Sequence, residues 1–254
     1  MKEVRVDPSL QQNYDNYYND DISEWRGMGA VDKVVQIRRL CAKYSPASVL
    51  DIGAGEGSVI QLLAESGLGQ RHFALDISAS GVKEIAKRNI PSLVECRQFD
   101  GYTIPYADRQ FNLAVLTHVV EHVEHPRLLL HEAARVADLL FVEVPLEHNR
   151  RLATDFVPDS VGHINFYTSK TIRLLIQSCG LEVLEQVESH SSRRLYEFRL
   201  GRKGTFSYLL KDLALRTVPR LAQQLWTYHS SLLVRRPKAA EKTAGADPAN
   251  TVGP

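Results

Sequence analysis

The stretch SVLDIGAGEGS, residues 48–58, constrains this chain more than any other part of it. An apolar run ends in Asp51, glycines follow at 53, 55 and 57, and Val59, Ile60, Leu62 and Leu63 then fall on one face of a helix. Strand, glycine turn and helix start therefore follow one another directly. Glycine allows positive φ and close approach of a ligand to the backbone. The helix start adds free N–H donors and the positive end of the dipole. A phosphate-cradling P-loop is excluded, because no Lys-Ser/Thr pair follows. The dinucleotide fingerprint GxGxxG is out of register, since its third glycine would fall on Ser58. An aspartate at the strand end also repels a pyrophosphate, but it would welcome an ammonium.

The same alternation continues downstream. Apolar runs at 48–52, 72–77, 93–98, 111–117 and 138–144 read as strands, separated by helical stretches at 58–66, 80–88 and 125–136. Residues 31–43 read as a helix before the first strand, 169–178 as a helix closed by Gly180, and 181–187 and 228–234 as two further strands. Strands spaced by helices imply crossover units and a parallel sheet covered on both faces. Residues 146–162 read as a long loop, a length often tied to function.

Composition narrows the classes. With 44% apolar and 24% charged residues, the chain is an ordinary globular one. It shows no apolar run of membrane-spanning length and no apolar leader in residues 1–21, so a cytoplasmic protein is expected. Cys41, Cys96 and Cys179 lie far apart, which excludes a zinc ribbon or a disulfide framework. Net charge is only +1, so no nucleic-acid partner is expected. The charge is uneven, however: residues 190–238 carry eleven Lys or Arg against two acids. That imbalance points to an anionic partner or surface.

DIGAGEG resembles motif I of class I S-adenosylmethionine-dependent methyltransferases, small-molecule branch. Further elements continue the resemblance: ALDIS (residues 74–78), FDG followed by IPY (99–106), FNLAV with EHV (111–123, with Asn112 in place of the usual Asp) and GHINFY (162–167). It covers about residues 30–190 and the last strand, and extends to ubiquinone-biosynthesis enzymes. It implies a doubly wound, Rossmann-like, mostly parallel seven-stranded α/β sheet with helices on both faces and an antiparallel last strand. It also implies S-adenosylmethionine as cofactor. Asp51 and the backbone of Gly53, Ala54 and Gly55 would hold the methionine end, and Asp76 the ribose diol. Ile77, Asp100 and Gly101 would border the adenine, with Thr117 and His118 facing the cofactor. Such a cofactor carries an activated methyl, so the protein binds, orients and excludes water.

Residues 118–125, HVVEHVEH, match the inverted zinc-protease pattern HxxEH. That reading fails because His118 closes a strand, whereas the motif needs a helix. Ubiquinone-type enzymes resemble this stretch through ExxEH, whose carboxylates and histidine can hold a divalent ion; His118 here makes the set richer in nitrogen. No metal ligand is assigned, and Glu121, His122 and His163 are expected as catalytic, with either histidine serving as general base.

Five segments are expected. Residues 1–29, with Tyr14, Tyr17, Tyr18 and Trp25, resemble a lid over the cofactor. Residues 30–190 form the core, 191–225 a basic helical insertion whose leucines dock on the sheet, 226–236 the last strand and 237–254 a disordered tail. The expected function is O-methylation of a small molecule or of a saccharide or lipid-linked acceptor, with possible contact between the insertion and an anionic membrane surface. The alternatives are an RNA or protein methyltransferase and a non-catalytic cofactor-binding scaffold.

Overall fold

In the computed structural model, which describes residues 5–15, 23–150, 152–153, 155–157 and 162–237, the apolar runs form one sheet. Its strands are β1 (Ser48–Ile52), β2 (Arg71–Asp76), β3 (Leu93–Gln98), β4 (Phe111–Thr117), β5 (Ala137–Leu146), β6 (Glu182–Ser189) and β7 (Tyr228–Arg235). Their order is β3-β2-β1-β4-β5-β7-β6. The first five strands are parallel, and β7 runs antiparallel to both β5 and β6. Strand order reverses between β1 and β4, and ligands of open α/β sheets bind beyond the carboxyl ends of the strands at such a switch point.

Nine helices surround the sheet among the described residues: α1 (Pro8–Asp15), α2 (Ser23–Cys41), α3 (Ser58–Glu65), α4 (Ala79–Lys87), α5 (Pro126–Val136), α6 (Ser169–Ser178), α7 (Arg193–Leu200), α8 (Arg202–Thr217) and α9 (Pro219–Leu225). They bury both sheet faces, which is why β1 and β4 read as continuous apolar runs. Leu50, Ile52, Leu116 and Leu130 pack on one face, and Val49, Ile60, Ile37 and Phe141 on the other. No described helix is long and apolar enough to cross a membrane.

Two expectations are corrected here. First, α2 starts at Ser23, not at residue 31, so the boundary drawn at 29/30 falls inside a helix. Gly27 and Gly29 hide that start from helix propensity. Second, most leucines of the insertion do not dock. Leu209, Leu210, Leu213 and Leu221 are exposed, while Leu195, Gly204, Ala214 and Ala222 face inward and Leu215 packs on Leu146 and Tyr228 of the sheet. The cause is close packing. A Cβ on Gly204 would run into the backbone of Tyr196 and Glu197 in α7, so α8 crosses α7 on its small-residue side and turns most of its leucines out. The insertion is anchored where Ser192 N donates to Asp32 Oδ2 at 2.7 Å, and where Tyr228 Oη donates to the Lys211 carbonyl at 3.0 Å. Tyr17, Tyr18 and nearly all of the expected tail lie outside the described residues.

Candidate active site

The glycine turn after β1 bends back on β2. Gly53 N and Ala54 N both donate to the Leu75 carbonyl, at 2.8 and 2.9 Å. Gly53 has φ +74°, and a Cβ there would meet Val119 at 2.5 Å, so both conformation and space demand glycine. Asp51 ends the strand fully buried, and neither carboxylate oxygen has a hydrogen-bond partner. Burial pushes its carboxyl up to about 7, helped by Asp76 and Glu56 and opposed by the Lys33 charge. An orphaned carboxylate of this kind needs an explanation, and an ammonium group would supply the missing donors.

Asp76 at the end of β2 is also buried, but it is occupied. Its Oδ2 accepts from Gly55 N at 2.7 Å, and its Oδ1 accepts from Ser78 N at 2.9 Å and Ser78 Oγ at 2.7 Å. It therefore ties the glycine turn to α4 as well as facing the cavity. Asp100 makes a turn of its own, its Oδ1 accepting from Tyr102 N at 2.8 Å and Thr103 N at 2.6 Å. Ile77, Gly101, Thr117 and His118 line the same cavity as Asp51, Gly53, Ala54, Gly55 and Asp76; Asp100 does not line it, although its neighbours Phe99 and Gly101 do. Asn112 does not belong here: it is at the other end of β4, where its Oδ1 accepts from Ala47 N and Ser48 N.

The segment carrying α1 lies across this end of the cavity. Val6 N donates to the Asp100 carbonyl at 3.1 Å, and Gln11 Nε2 to the Ile77 carbonyl at 2.9 Å. Asp15 accepts from Ala79 N at 2.7 Å, at the start of α4. Tyr14 meets the His122 ring edge-on at 6.1 Å, and Trp25 on α2 lines the cavity.

Beyond β4 the chain turns sharply at His118, with φ +58°, and residues 118–125 form turns, not a helix. That is the geometry on which the protease reading fails. His122 and His163 meet edge-on with ring centroids 4.6 Å apart. His122 Nδ1 lies 3.2 Å from the Gly162 carbonyl, and burial pushes its imidazole down, which favours the neutral ring. His163 Nδ1 is hydrogen-bonded to Glu147. Burial works against a charged His163, but Glu147 and Glu121 outweigh it and hold the imidazole above its ordinary value. Glu147, absent from the sequence expectations, thus completes a carboxylate–histidine pair. Glu121 is buried behind the histidines and does not line the cavity, so it cannot touch an acceptor directly.

His118 stands between two buried carboxylates, 3.3 Å from Glu121 and 3.6 Å from Glu143. Burial and the Lys33 charge lower its proton affinity, and the two carboxylates more than restore it. Burial alone would raise Glu143, yet His118, His229 and the Ser231 hydroxyl hold it low. The cavity, about 1140 Å³, continues past these groups to Tyr196, Leu210 and Lys211 of the insertion. One ligand pocket usually spans about 300–1000 Å³, so this space can take a cofactor and an acceptor together.

A doubly wound sheet whose first strand ends in an orphaned carboxylate and a glycine turn defines a Rossmann-like binder of an ammonium-bearing nucleoside cofactor. A family model described as a methyltransferase domain matches residues 31–186, and the chain belongs to that family: it is an S-adenosylmethionine-dependent methyltransferase. Solved structures agree in fold. The 4+2 cyclase SpnF superposes with a TM-score of 0.59 at 15% identity over 81% of this chain and 80% of that one. A candidate methyltransferase from Bacillus halodurans C-125 gives 0.58 at 17% identity over 82% and 100%. The N-terminal domain of EvdMO1, solved with S-adenosylhomocysteine bound, gives 0.50 at 15% identity over 82% and 81%. No curated protein sequence matches the chain.

Proposed function

We propose that this methyltransferase O-methylates a hydroxyl of a small molecule or saccharide carried on an anionic lipid. The observation that carries this reading is one continuous cavity. It runs from Asp51 and Asp76, past His122 and His163, to the foot of α8. The outer face of α8 is apolar and exposed, with Phe206 at 70% and Leu213 at 60% of full exposure. Leu209 and Leu210 extend that stripe, and Arg199, Arg202, Lys203, Arg216 and Arg220 flank it, all exposed. An apolar helix face bordered by cations is the pattern of helices that lie in an anionic lipid interface.

The cofactor, when bound, supplies a methyl on a positively charged sulfur. Asp51 would take its ammonium, the spare acceptor capacity of Asp76 its ribose diol, and Ile77 with the Asp100–Gly101 turn would border its base. In-line transfer depends on positioning, and the His163–Glu147 pair supplies the base. With Nδ1 bound to Glu147, His163 keeps Nε2 to take the acceptor's proton, and Glu147 stabilises the imidazolium that results. His122 adjoins as a neutral hydrogen-bonding ring. Cytoplasmic residence belongs to the same reading.

The test is methyl transfer from labelled cofactor into a cell extract split into lipid, water-soluble, RNA and protein fractions. Label is expected in the lipid fraction and stable to mild alkali, as an ether is and an ester is not. Changing Arg199, Arg202, Lys203 and Arg216 together to Glu should abolish association with phosphatidylglycerol vesicles and leave cofactor affinity unchanged. Label confined to RNA or protein would overturn the reading.

A further inference from the structure

In the cavity, the carboxyl ends of β4 and β5 meet the amino end of the antiparallel β7. His118 follows β4, Glu143 lies on β5 and His229 on β7, and all three face the cavity. One donor atom from each can be chosen so that all lie within 4.8 Å of one another. His118 Nε2 and Glu143 Oε1 are 3.6 Å apart. That is long for a hydrogen bond, which prefers about 2.7–3.2 Å. It is close to the separation of about 3.0–3.4 Å between two ligands that share a dication with bonds near 2.1 Å. Consistent with this, His118 Nε2 is buried and has no hydrogen-bond partner. The second oxygen of Glu143 accepts from Ser231 Oγ at 2.6 Å. Such an outer hydrogen bond orients a ligating carboxylate.

We propose that His118, Glu143 and His229 form a metal site for a first-row transition-metal dication. Two imidazoles and one carboxylate suit Zn²⁺, Fe²⁺ or Co²⁺ and are poorly matched to Mg²⁺ or Ca²⁺. Three protein ligands facing a cavity leave coordination positions open toward it, the arrangement of reactive metal sites as opposed to structural ones. An acceptor oxygen entering from the α8 end would meet the ion there. The rival occupant of the same space is a proton on His118, shared between Glu121 and Glu143. Titration with metal separates the two.

The experiment uses the full chain, stripped with chelator and titrated with Co²⁺ in the absence of cofactor. Wild-type protein is expected to take up Co²⁺ at this site and to develop visible absorption bands from the bound ion. His229→Ala should weaken that uptake at least about 100-fold and remove the bands. Ser231→Ala, which keeps all three ligands, should weaken it about 10-fold, as loss of an outer-shell partner does. His163→Ala should leave the bands in place, which distinguishes this trio from the neighbouring Glu121, His122 and His163. Cofactor binding by calorimetry, retained in every variant, shows that each is folded and keeps this test separate from the methyl-transfer assignment. A stripped wild type that binds no Co²⁺, or a His229→Ala variant that binds it as the wild type does, overturns the proposal.

Discussion

Asp51 is a carboxylate that the fold has removed from water and given no donor. Its proton affinity is raised to about pH 7, so below that pH it must lose a proton before it can pair with an ammonium. Cofactor affinity should therefore fall about tenfold per pH unit below 7, with one proton released on binding. Calorimetry in buffers of different ionisation enthalpy measures both, and Asp51→Asn should flatten the dependence while weakening binding by about 1.5–3 kcal/mol. At the second pair, Glu147 raises the His163 imidazole above its ordinary value. The neutral ring is the base, so activity should rise with pH through that raised value. Glu147→Gln leaves only Glu121 to oppose burial, so the acid limb of kcat/KM should move to lower pH while kcat drops about 10- to 100-fold. Asp51, Gly53 and Asp76 were legible because each belongs to a single strand-and-turn stretch. Glu147 and His229 were not, since nothing in their own neighbourhoods says which distant residues they will face. Glu143 meets Ser231 only through the antiparallel register of β5 and β7.

Side-chain bonds help hold the α1 helix in place. Asp15 caps the start of α4 from outside that helix, and Gln11 reaches the Ile77 carbonyl. Losing a cap of this kind costs about 1 kcal/mol. Asp15→Ala should therefore speed cofactor release about fivefold in stopped-flow and raise amide exchange across residues 8–15, with the core unaffected. The helices also show where sequence periodicity misleads. Leucines at helical spacing in 209–225 suggested a buried stripe, yet the docking side of α8 is built from Gly204 and Ala214 with only Leu215 of those leucines beside them. Periodicity identifies an apolar face but not the partner it meets, and close helix crossings select small residues instead. For α2, the early start at Ser23 was masked by two glycines that tertiary packing overrides.

At the scale of the whole molecule, the strand succession was readable from apolar runs, because both faces of the sheet are buried, whereas the antiparallel last strand was implied only by the family resemblance. The insertion between β6 and β7 was readable as basic and helical. Its outward-facing stripe was not, since that depends on how α7, α8 and α9 stack on one another. In the proposed reading, the two substrates enter from different sides: acceptor past α8, cofactor beneath α1. Gly101 sits so close to Val6 that a Cβ there would collide with it, so the α1 segment rests directly on the rim of the cofactor site. In that reading, a nucleoside leaving by this rim has to displace the segment. Departure of the spent cofactor then waits on a motion the methylated acceptor does not need, and in many enzymes such opening sets the turnover rate. Rapid-quench measurements should show a first turnover faster than all later ones, with a burst equal to the enzyme present and the methylated product leaving first.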